Sequence, residues 1–503
     1  MKKFNMWLSE MSDNINIEIS QSEKKHFEIA ETLNNIIKDK FDGVSMSLIG
    51  GACRDLMSRK FLDMYSEIDD LDFTIQKNNV GLQKNKLEDI MKYINTFDEY
   101  SCVDELNFLH IKVIHIPTSK EIEYTSYRKE KYRQGSRKPD TESGSVDTDF
   151  SRREFTINAI YLNIVNISGN MVTVKLDNPK SYIGLQDLKN KILKSTTNNP
   201  QDIFDEDNLR VLRAIRFSKD FNMDKSIEKI VRNFSKESLF KQISIERIRD
   251  ELGKILTKGN VDYLIKSGFI KKIIEEFGDF DDKKYKEAEL QHIIDVIKVA
   301  REKAPKGKEL IFLLSALFHD IGKGSTGTYS DDKERWQFLG HEKESAEKAK
   351  KIMRELKFSN EIIRDVSNLI SEHMTTKFFD KVPLKSIIKW ILKFDNQQKY
   401  PGLIENVLHF NTIDWGGKPA EWREKNKDMI KNERSVAKNV LTLKSKIDGY
   451  RKEYKKELSD ISTEIGKDKH IQPKSKAGAI LKRHANFIIG KLNKEREDGK
   501  SKN

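Results

Sequence analysis

The sequence predicts an α+β protein: a small mixed sheet-and-helix head, then a mostly α-helical neck, body and tail. Three observations predict it. Segments with strand-like alternation, such as Leu106 to Ile116 and Lys120 to Tyr127, all lie before residue 180. Beyond about residue 200 the apolar residues recur instead at helical spacing. At 503 residues the chain is also too long for one core, so several domains are expected.

Taken in order, residues 1 to about 44 read as amphipathic helix, with Phe27, Ile29, Leu33, Ile36 and Ile37 as the buried stripe. Ser45 to Ile49 reads as a strand ending in Gly50-Gly51. Paired glycines let a backbone turn sharply and leave amide N–H groups free for phosphate oxygens. Arg54 and Asp55 follow at a helix start, a favourable place for an anion. Asp70 to Ile75 reads as the next strand, and alternation places Asp70 and Asp72 on one face. Adjacent carboxylates repel unless a cation sits between them, and Mg²⁺ bridging to a triphosphate is the usual solution. A bare D-x-D also occurs in solvated acidic turns; the upstream Gly-Gly-x-x-Arg-Asp is what favours a site.

Leu82 to Ile94 resumes helical spacing, and the two alternating segments come after it. Glu121 and Glu123 project from the second and are available as a third carboxylate. Glutamate on an exposed strand face is more often solvated, so both stay outside the predicted site. Arg128 to Asp149 is polar and without periodicity, which predicts a long loop. In the stretch Asp149 to Ile160, tandem Arg152 and Arg153 match phosphate oxygens in pairs, and Asn158 can bond a ribose hydroxyl. The same stretch also reads as a helix N-terminus with surface arginines.

Val172 to Lys194 predicts a strand, a turn at Asn178-Pro179 and a helix. If Phe204 to Phe217 is helical, Asp207 and Arg210 are i,i+3 neighbours and Glu206 and Arg210 are i,i+4 neighbours. Such an Asp–Arg pair can read a base edge. Arginine donates to cytosine O2 and N3 or adenine N1, while aspartate accepts from the exocyclic amine. Uracil and guanine turn a carbonyl oxygen to the aspartate and are repelled. An ordinary surface ion pair is the alternative at this spacing.

Gly-Gly-x-x-Arg-Asp, D-x-D, Arg-Arg-x-Phe-Thr-x-Asn-Ala, Glu-Asp-x-x-Arg-x-x-Arg and Ile245-Glu-Arg247-Ile-Arg-Asp-Glu-Leu252 occur in that order over roughly the first half of the chain. Together they resemble the class II tRNA nucleotidyltransferases (CCA-adding enzymes) and the related bacterial poly(A) polymerases. The resemblance implies that Asp70 and Asp72 hold two Mg²⁺ ions and that Gly50, Gly51, Arg54, Arg152, Arg153 and Asn158 contact the nucleotide. It implies that Asp207 and Arg210 select CTP and then ATP, with Arg213 and Arg216 nearby on phosphate or base. Glu154 stands where the family usually has Asp, and it is not assigned a catalytic role. The expected reaction is template-independent addition of C, C and A to the 3′ end of tRNA, releasing pyrophosphate. A poly(A) polymerase and an enzyme adding only CC or only A share nearly the same motifs and remain the alternatives.

Residues 259 to 430 carry a second constellation. His319-Asp320 ends an apolar helix, with His292 upstream and His341, His373 and Asp414 downstream. Collecting an adjacent His-Asp with distant His and Asp from separate helices is similar to the HD metal-dependent phosphohydrolases. His292, His319, Asp320 and Asp414 are the expected ligands, of a kind suited to Mn²⁺, Fe, Ni²⁺ or Mg²⁺. Phosphohydrolase activity on RNA or nucleotide phosphate ends is a further expectation. The implied organisation is a helical N-terminal extension (1–30), catalytic head (31–170), neck with nucleotide-selecting helices (171–258), helical HD body (259–430) and basic tRNA-binding tail (431–503).

Composition agrees with that class. The chain is 34% charged with a net charge of +12, which suits a polyanionic partner. Two cysteines imply no disulfide framework. The first residues lack the apolar core of a signal peptide, and the longest apolar run, Leu310 to Phe318, is too short for a bilayer. A cytoplasmic protein with no membrane partner is expected.

Overall fold

The structure, a computed structural model, describes residues 14–131, 140–178, 180–275, 277–278, 283–395, 399–468 and 470–500. The chain divides into two compact units, residues 1–251 with 258–260, and residues 252–257 with 261–503. The first is the mixed sheet-and-helix head and its neck; the second is almost wholly helical.

In the first unit, β1 (Ile15–Glu18) leads into α1 (Gln21–Lys40), β2 (Val44–Ile49), α2 (Gly51–Leu62) and β3 (Leu71–Lys77). Then come α3 (Lys84–Ile94), β4 (Tyr100–Glu105), β5 (His110–His115), β6 (Lys120–Ser126), α4 (Val146–Ser151), β7 (Leu162–Ser168) and β8 (Met171–Leu176). The sheet runs β1-β8-β7-β2-β3-β6-β5-β4, with Val80–Gly81 also paired to β3. All these neighbours are antiparallel except β3 and β6, which run parallel. The parallel pair places the C-terminal end of β2 with its turn, the start of β3 and the middle of β6 together.

The predicted N-terminal helical extension is corrected. Ile15 and Ile17 are buried and alternate with exposed Asn16 and Glu18, a period of two, and they pair with β8 as an edge strand of the head. Ser20 and Glu23 form a capping box that starts the helix at Gln21, so residues 15–20 lie outside it and residues 1–13 outside the described residues. The stripe of α1 is otherwise as expected, with Phe27, Ile29, Leu33 and Ile37 buried. The predicted loop 128–149 is also corrected: Arg128–Lys131 pairs antiparallel with Asp140–Ser143, and α4 comes next, capped by Ser145. Residues 132–139 lie outside the described residues, as does Pro179 of the predicted turn.

Two helices follow the head, α5 (Pro200–Glu206) and α6 (Leu209–Phe217). They are not the one continuous helix expected. Asp207 is extended (φ −146°) and its Oδ1 accepts from the Leu209 amide at 3.1 Å, so its side chain caps the second helix instead of extending the first.

The second unit contains α7 (Lys283–Lys303), α8 (Glu309–Phe318), α9 (His341–Glu355), α10 (Asn360–Glu372), α11 (Leu384–Phe394) and α12 (Leu403–Gly416). It continues with α13 (Ala420–Lys425), α14 (Lys427–Glu453), α15 (Lys455–Lys467) and α16 (Pro473–Lys500). Helix α8 (ELIFLLSALF) is buried nearly all round, from Phe312 to Phe318, and forms the centre against which α7 and α10 pack. No helix among the described residues is long and apolar enough to cross a membrane.

Candidate functional sites

In the head, β2 ends at Gly50, whose φ of +78° lies in the left-handed region. A Cβ there would also stand 3.1 Å from Asp72 Oδ2, so the turn and the carboxylate occupy one place. Asp72 faces Ile49 across the β2–β3 ladder and Glu123 across the parallel β3–β6 ladder. Asp70 lies just before β3 and is exposed. Burial pushes the Asp72 carboxyl up to about 6, helped by the charges of Glu123 and Asp70 and opposed by Arg153. Glu123 is held down at about 2 by the His110 ring, against the effect of burial, and by Lys112. His110 Nε2 stands 3.3 Å from Glu123, and Lys112 Nζ 3.2 Å. Glu123, which sequence reasoning set aside, thus stands beside Asp72, while Asp70, Asp72 and Glu123 do not close into one set with ligand atoms within 4.8 Å of one another. Two neighbouring carboxylates at a glycine turn, one of them with its charged form disfavoured, suit a divalent cation.

The arginines do not lie free on a surface. Asp149, fully buried, accepts from Arg152 Nε and Nη2 at 2.8 and 2.6 Å, from Arg153 Nη2 at 3.1 Å and from the Tyr161 hydroxyl at 2.8 Å. Burial works against its charge, but the two arginines hold its carboxyl at about 2. Arg54 makes a two-pronged pair with Asp55, donates to Asn158 Oδ1 at 2.8 Å and lies 4.9 Å from the Phe217 ring. Asn158 in turn donates to Glu154 at 3.1 Å, and Glu154 accepts from Arg213 Nε at 2.8 Å. Glu154, which sequence reasoning left without a role, therefore joins the Thr156–Asn158 turn to α6 through one carboxylate, and Arg54 of α2 is bonded to the same Asn158.

The predicted Asp207–Arg210 pair is not formed. Arg210 is buried and donates to Glu206 at 3.0 Å, to the Ile203 carbonyl at 2.8 Å and to the Arg152 carbonyl at 3.0 Å. Asp207 instead accepts from Arg247 at 2.7 Å. The reason is the break at Asp207: with an extended residue between α5 and α6, i,i+3 spacing no longer aligns the two side chains. Arg216 pairs with Glu251 at 2.5 Å.

The second unit collects its own cluster. His292 comes from α7, His319 and Asp320 from the end of α8, His341 from the start of α9, His373 from the end of α10 and Asp414 from α12, all of them buried. They fall into two triads, His292, His319 and Asp414, and Asp320, His341 and His373, each with ligand atoms within 4.8 Å of one another. Each of the four histidines turns Nδ1 to a backbone carbonyl: Gly417 at 3.2 Å, Ala316 at 2.9 Å, Phe338 at 2.7 Å and Ile370 at 2.6 Å. A carbonyl only accepts, so each Nδ1 carries a proton, and in the neutral ring each Nε2 is left to present its lone pair. His292 Nε2 lies 3.0 Å from Asp414, His319 Nε2 3.0 Å and His341 Nε2 3.3 Å from Asp320. Burial opposes the charge of Asp320, but His319 and Lys323 hold its carboxyl well below the usual range. Lys323, Lys377 and Lys418 press on Asp320, Asp414 and His292 at 2.7, 2.6 and 2.9 Å. His341 and His373 join the four expected ligands.

Family matches fall in the head, in the helical body and across the boundary between the two units. Residues 46–194 match the family described as the poly A polymerase head domain, residues 220–280 the probable RNA and SrmB-binding site of polymerase A, and residues 290–394 the HD domain. The tRNA nucleotidyltransferase cca2 of Schizosaccharomyces pombe is 30% identical over 263 residues, 48% of this chain and 50% of that protein. A CCA-adding enzyme of Lactobacillus helveticus is 30% identical over 42% of this chain and 46% of its own length. An A-adding tRNA nucleotidyltransferase of Aquifex aeolicus is 26% identical over 60% of this chain and 36% of its own length. The matches thus span half or less of these relatives' length. A Thermotoga maritima CCA-adding enzyme complexed with tRNA is similar in fold, with a TM-score of 0.50 and 16% identity over 86% of each chain.

Proposed function

We propose, from a chain that belongs to the class II tRNA nucleotidyltransferase and poly(A) polymerase family and carries an HD domain, that it adds C, C and A to the 3′ end of tRNA from CTP and ATP. The observation that supports it best is Asp72 set against the Gly50 turn and beside Glu123, within the electrostatic reach of Asp70 and Arg153. Family membership implies a divalent metal, and Mg²⁺ suits the all-oxygen set of Asp70 and Asp72. Bound there, it would lower the pKa of the attacking 3′-hydroxyl and neutralise the triphosphate.

The chain's own residues do the rest. The amides after Gly50 face the phosphates, with Arg152 and Arg153 kept at fixed positions by Asp149. Arg54 and Asn158 orient each other beside the sugar. Base choice falls to Asp207 and Arg210 once they exchange Arg247 and Glu206 for a base edge, with Arg213 and Arg216 behind them. Residues 31–170 act as the catalytic head, 171–258 as the neck and 259–430 as the body. The basic tail, 431–503, tracks RNA phosphates, and the enzyme works in the cytoplasm.

The test is incorporation of each labelled NTP, with Mg²⁺, into tRNA transcripts lacking CCA, ending in C and ending in CC. Addition of C, C and A followed by termination is expected. Unlimited A on any RNA would identify a poly(A) polymerase, and C alone or A alone a partial adder. In the same assay Asp207→Ala is expected to keep incorporation but lose about tenfold to a hundredfold in discrimination against UTP and GTP, the scale of one two-pronged base contact. Unchanged discrimination would remove Asp207 from base choice.

A second activity is favoured by the six-residue cluster of the second unit, with its four inward-facing Nε2 atoms. It is suited to two transition-metal ions and to phosphoester hydrolysis. Purified protein is expected to retain Mn, Fe or Ni by elemental analysis. Asp320→Ala should lose that metal, and any hydrolysis of bis-p-nitrophenyl phosphate with it, while NTP incorporation persists.

A further inference from the structure

A cavity of about 100 Å³ opens between α12 and α14, on the far side of Lys377 and Trp415 from the metal-type cluster and lined by none of its six residues. Leu408 and Ile430 form its apolar wall, and Thr376, Asn411 and Glu433 bring polar groups to it. Asn411 is more than nine-tenths buried; its amide nitrogen donates to Thr376 Oγ1, and its Oδ1 has no hydrogen-bond partner. An orphaned buried acceptor is costly, and an N–H or O–H donor entering the cavity would satisfy it.

The charges at the cavity point the same way. Lys303, Arg423 and Arg434 line it, and among the described residues none of them has a carboxylate within ion-pair distance. Most other arginines of the chain, such as Arg54, Arg213 and Arg451, are paired. Burial pushes the one carboxyl there, Glu433, up to about 7, against the pull of Lys377, so at neutral pH it is only about half ionised and leaves the three cations in excess. Unpaired guanidinium forks beside an apolar wall and an orphan acceptor suit a phosphate carried on a hydroxylated sugar and planar base. Lys377 joins the cavity to the metal cluster, with Nζ 2.6 Å from Asp414 and 5.0 Å from the Trp415 ring centre.

We propose that the mouth of this cavity binds one nucleotide unit, its phosphate on the exposed Lys303, Arg423 and Arg434 and only a sugar or base donor reaching Asn411 inside, since about 100 Å³ is too little for a whole nucleotide. The unit is either a free mononucleotide or the terminal nucleotide of an RNA, and the site is independent of the nucleotide site in the head. Photolabelling of the full chain with 8-azidoadenosine monophosphate, and separately with a tRNA carrying 8-azidoadenosine at its 3′ end, distinguishes the sources. Label is expected in peptides covering residues 403–437. It should fall about tenfold or more in the R423E/R434E double variant, the scale of losing one charge-assisted hydrogen bond, and persist in R423K/R434K. Both arginines are exposed, so these variants should melt like the native protein. Labelling by the free nucleotide alone assigns a small-molecule site, and labelling by tRNA alone assigns an RNA-end site. Label confined to head peptides, or label in 403–437 that survives charge reversal, overturns the proposal.

Discussion

Asp72→Ala is expected to reduce nucleotide incorporation by about three orders of magnitude or more, the several kcal/mol that metal-centred charge stabilisation supplies to such a transition state. Asp72 is the residue to test because both ladders of β3 converge on it, Ile49 on one side and Glu123 on the other. The substitution removes the carboxylate without disturbing either ladder, since only backbone groups pair there. Asp72→Asn separates chemistry from folding more sharply. The folded carboxyl titrates at about 6, above the 3.8 of an unperturbed aspartate, so the folded state binds its proton more tightly. By linkage, stability from this group is fully present below about pH 3.8, is lost as the pH rises through about 6, and above that the charge opposes folding in full in metal-free protein. Thermal melting in EDTA at pH 7 should therefore show Asp72→Asn more stable than the native chain, although it is inactive. Incorporation at near-native rates by either variant would exclude Asp72 as a metal ligand.

The largest stability effect is expected at Asp149. This carboxylate is fully buried between Arg152, Arg153 and Tyr161. Asp149→Ala removes the ion-pair partner of Arg153 and leaves Arg152 only its longer contact to Glu130 at 3.4 Å, a change that costs about 3–5 kcal/mol where one partner of a buried pair is removed. Chemical denaturation should register that loss, and incorporation should fall with it because Arg152 and Arg153 lose their anchor. The pH dependence has a definite sign. The folded carboxyl is held at about 2, below the 3.8 of the ordinary group. Its contribution is fully present above pH 4 and is lost as the pH falls through about 2. Acid unfolding of the native chain should steepen in that window, and Asp149→Asn should lack that part of the slope. An Asp149→Ala protein as stable as the native one would show that the arginines find other partners.

The metal-type side chains are legible in the sequence because their spacing carries the chemistry. Period two puts Asp70 and Asp72 on one face, and Gly50-Gly51 announces a turn that only small residues make, with Gly50 at φ +78°. The histidines and aspartates of the second unit are legible as residue types, while their sorting into two triads is not, because five helices contribute them. The strand β1 reads as helix although its INIE alternation is visible, since four residues carry little periodicity beside a twenty-residue helix.

Sequence by itself determined most element types of the head, residues 15–18 and 128–149 apart, the helical character of the second unit and the residue types able to hold metal and phosphate. Local periodicity and side-chain chemistry dictate these without any partner. Only the tertiary structure decided which charges meet. The parallel β3–β6 pairing brings Glu123 beside Asp72 across fifty-one positions of chain (123 − 72). The break at Asp207 sends that carboxylate to Arg247 and leaves Arg210 to Glu206. Coulombic energy falls with distance in space and is indifferent to distance along the chain, so ion-pair partners are settled by packing.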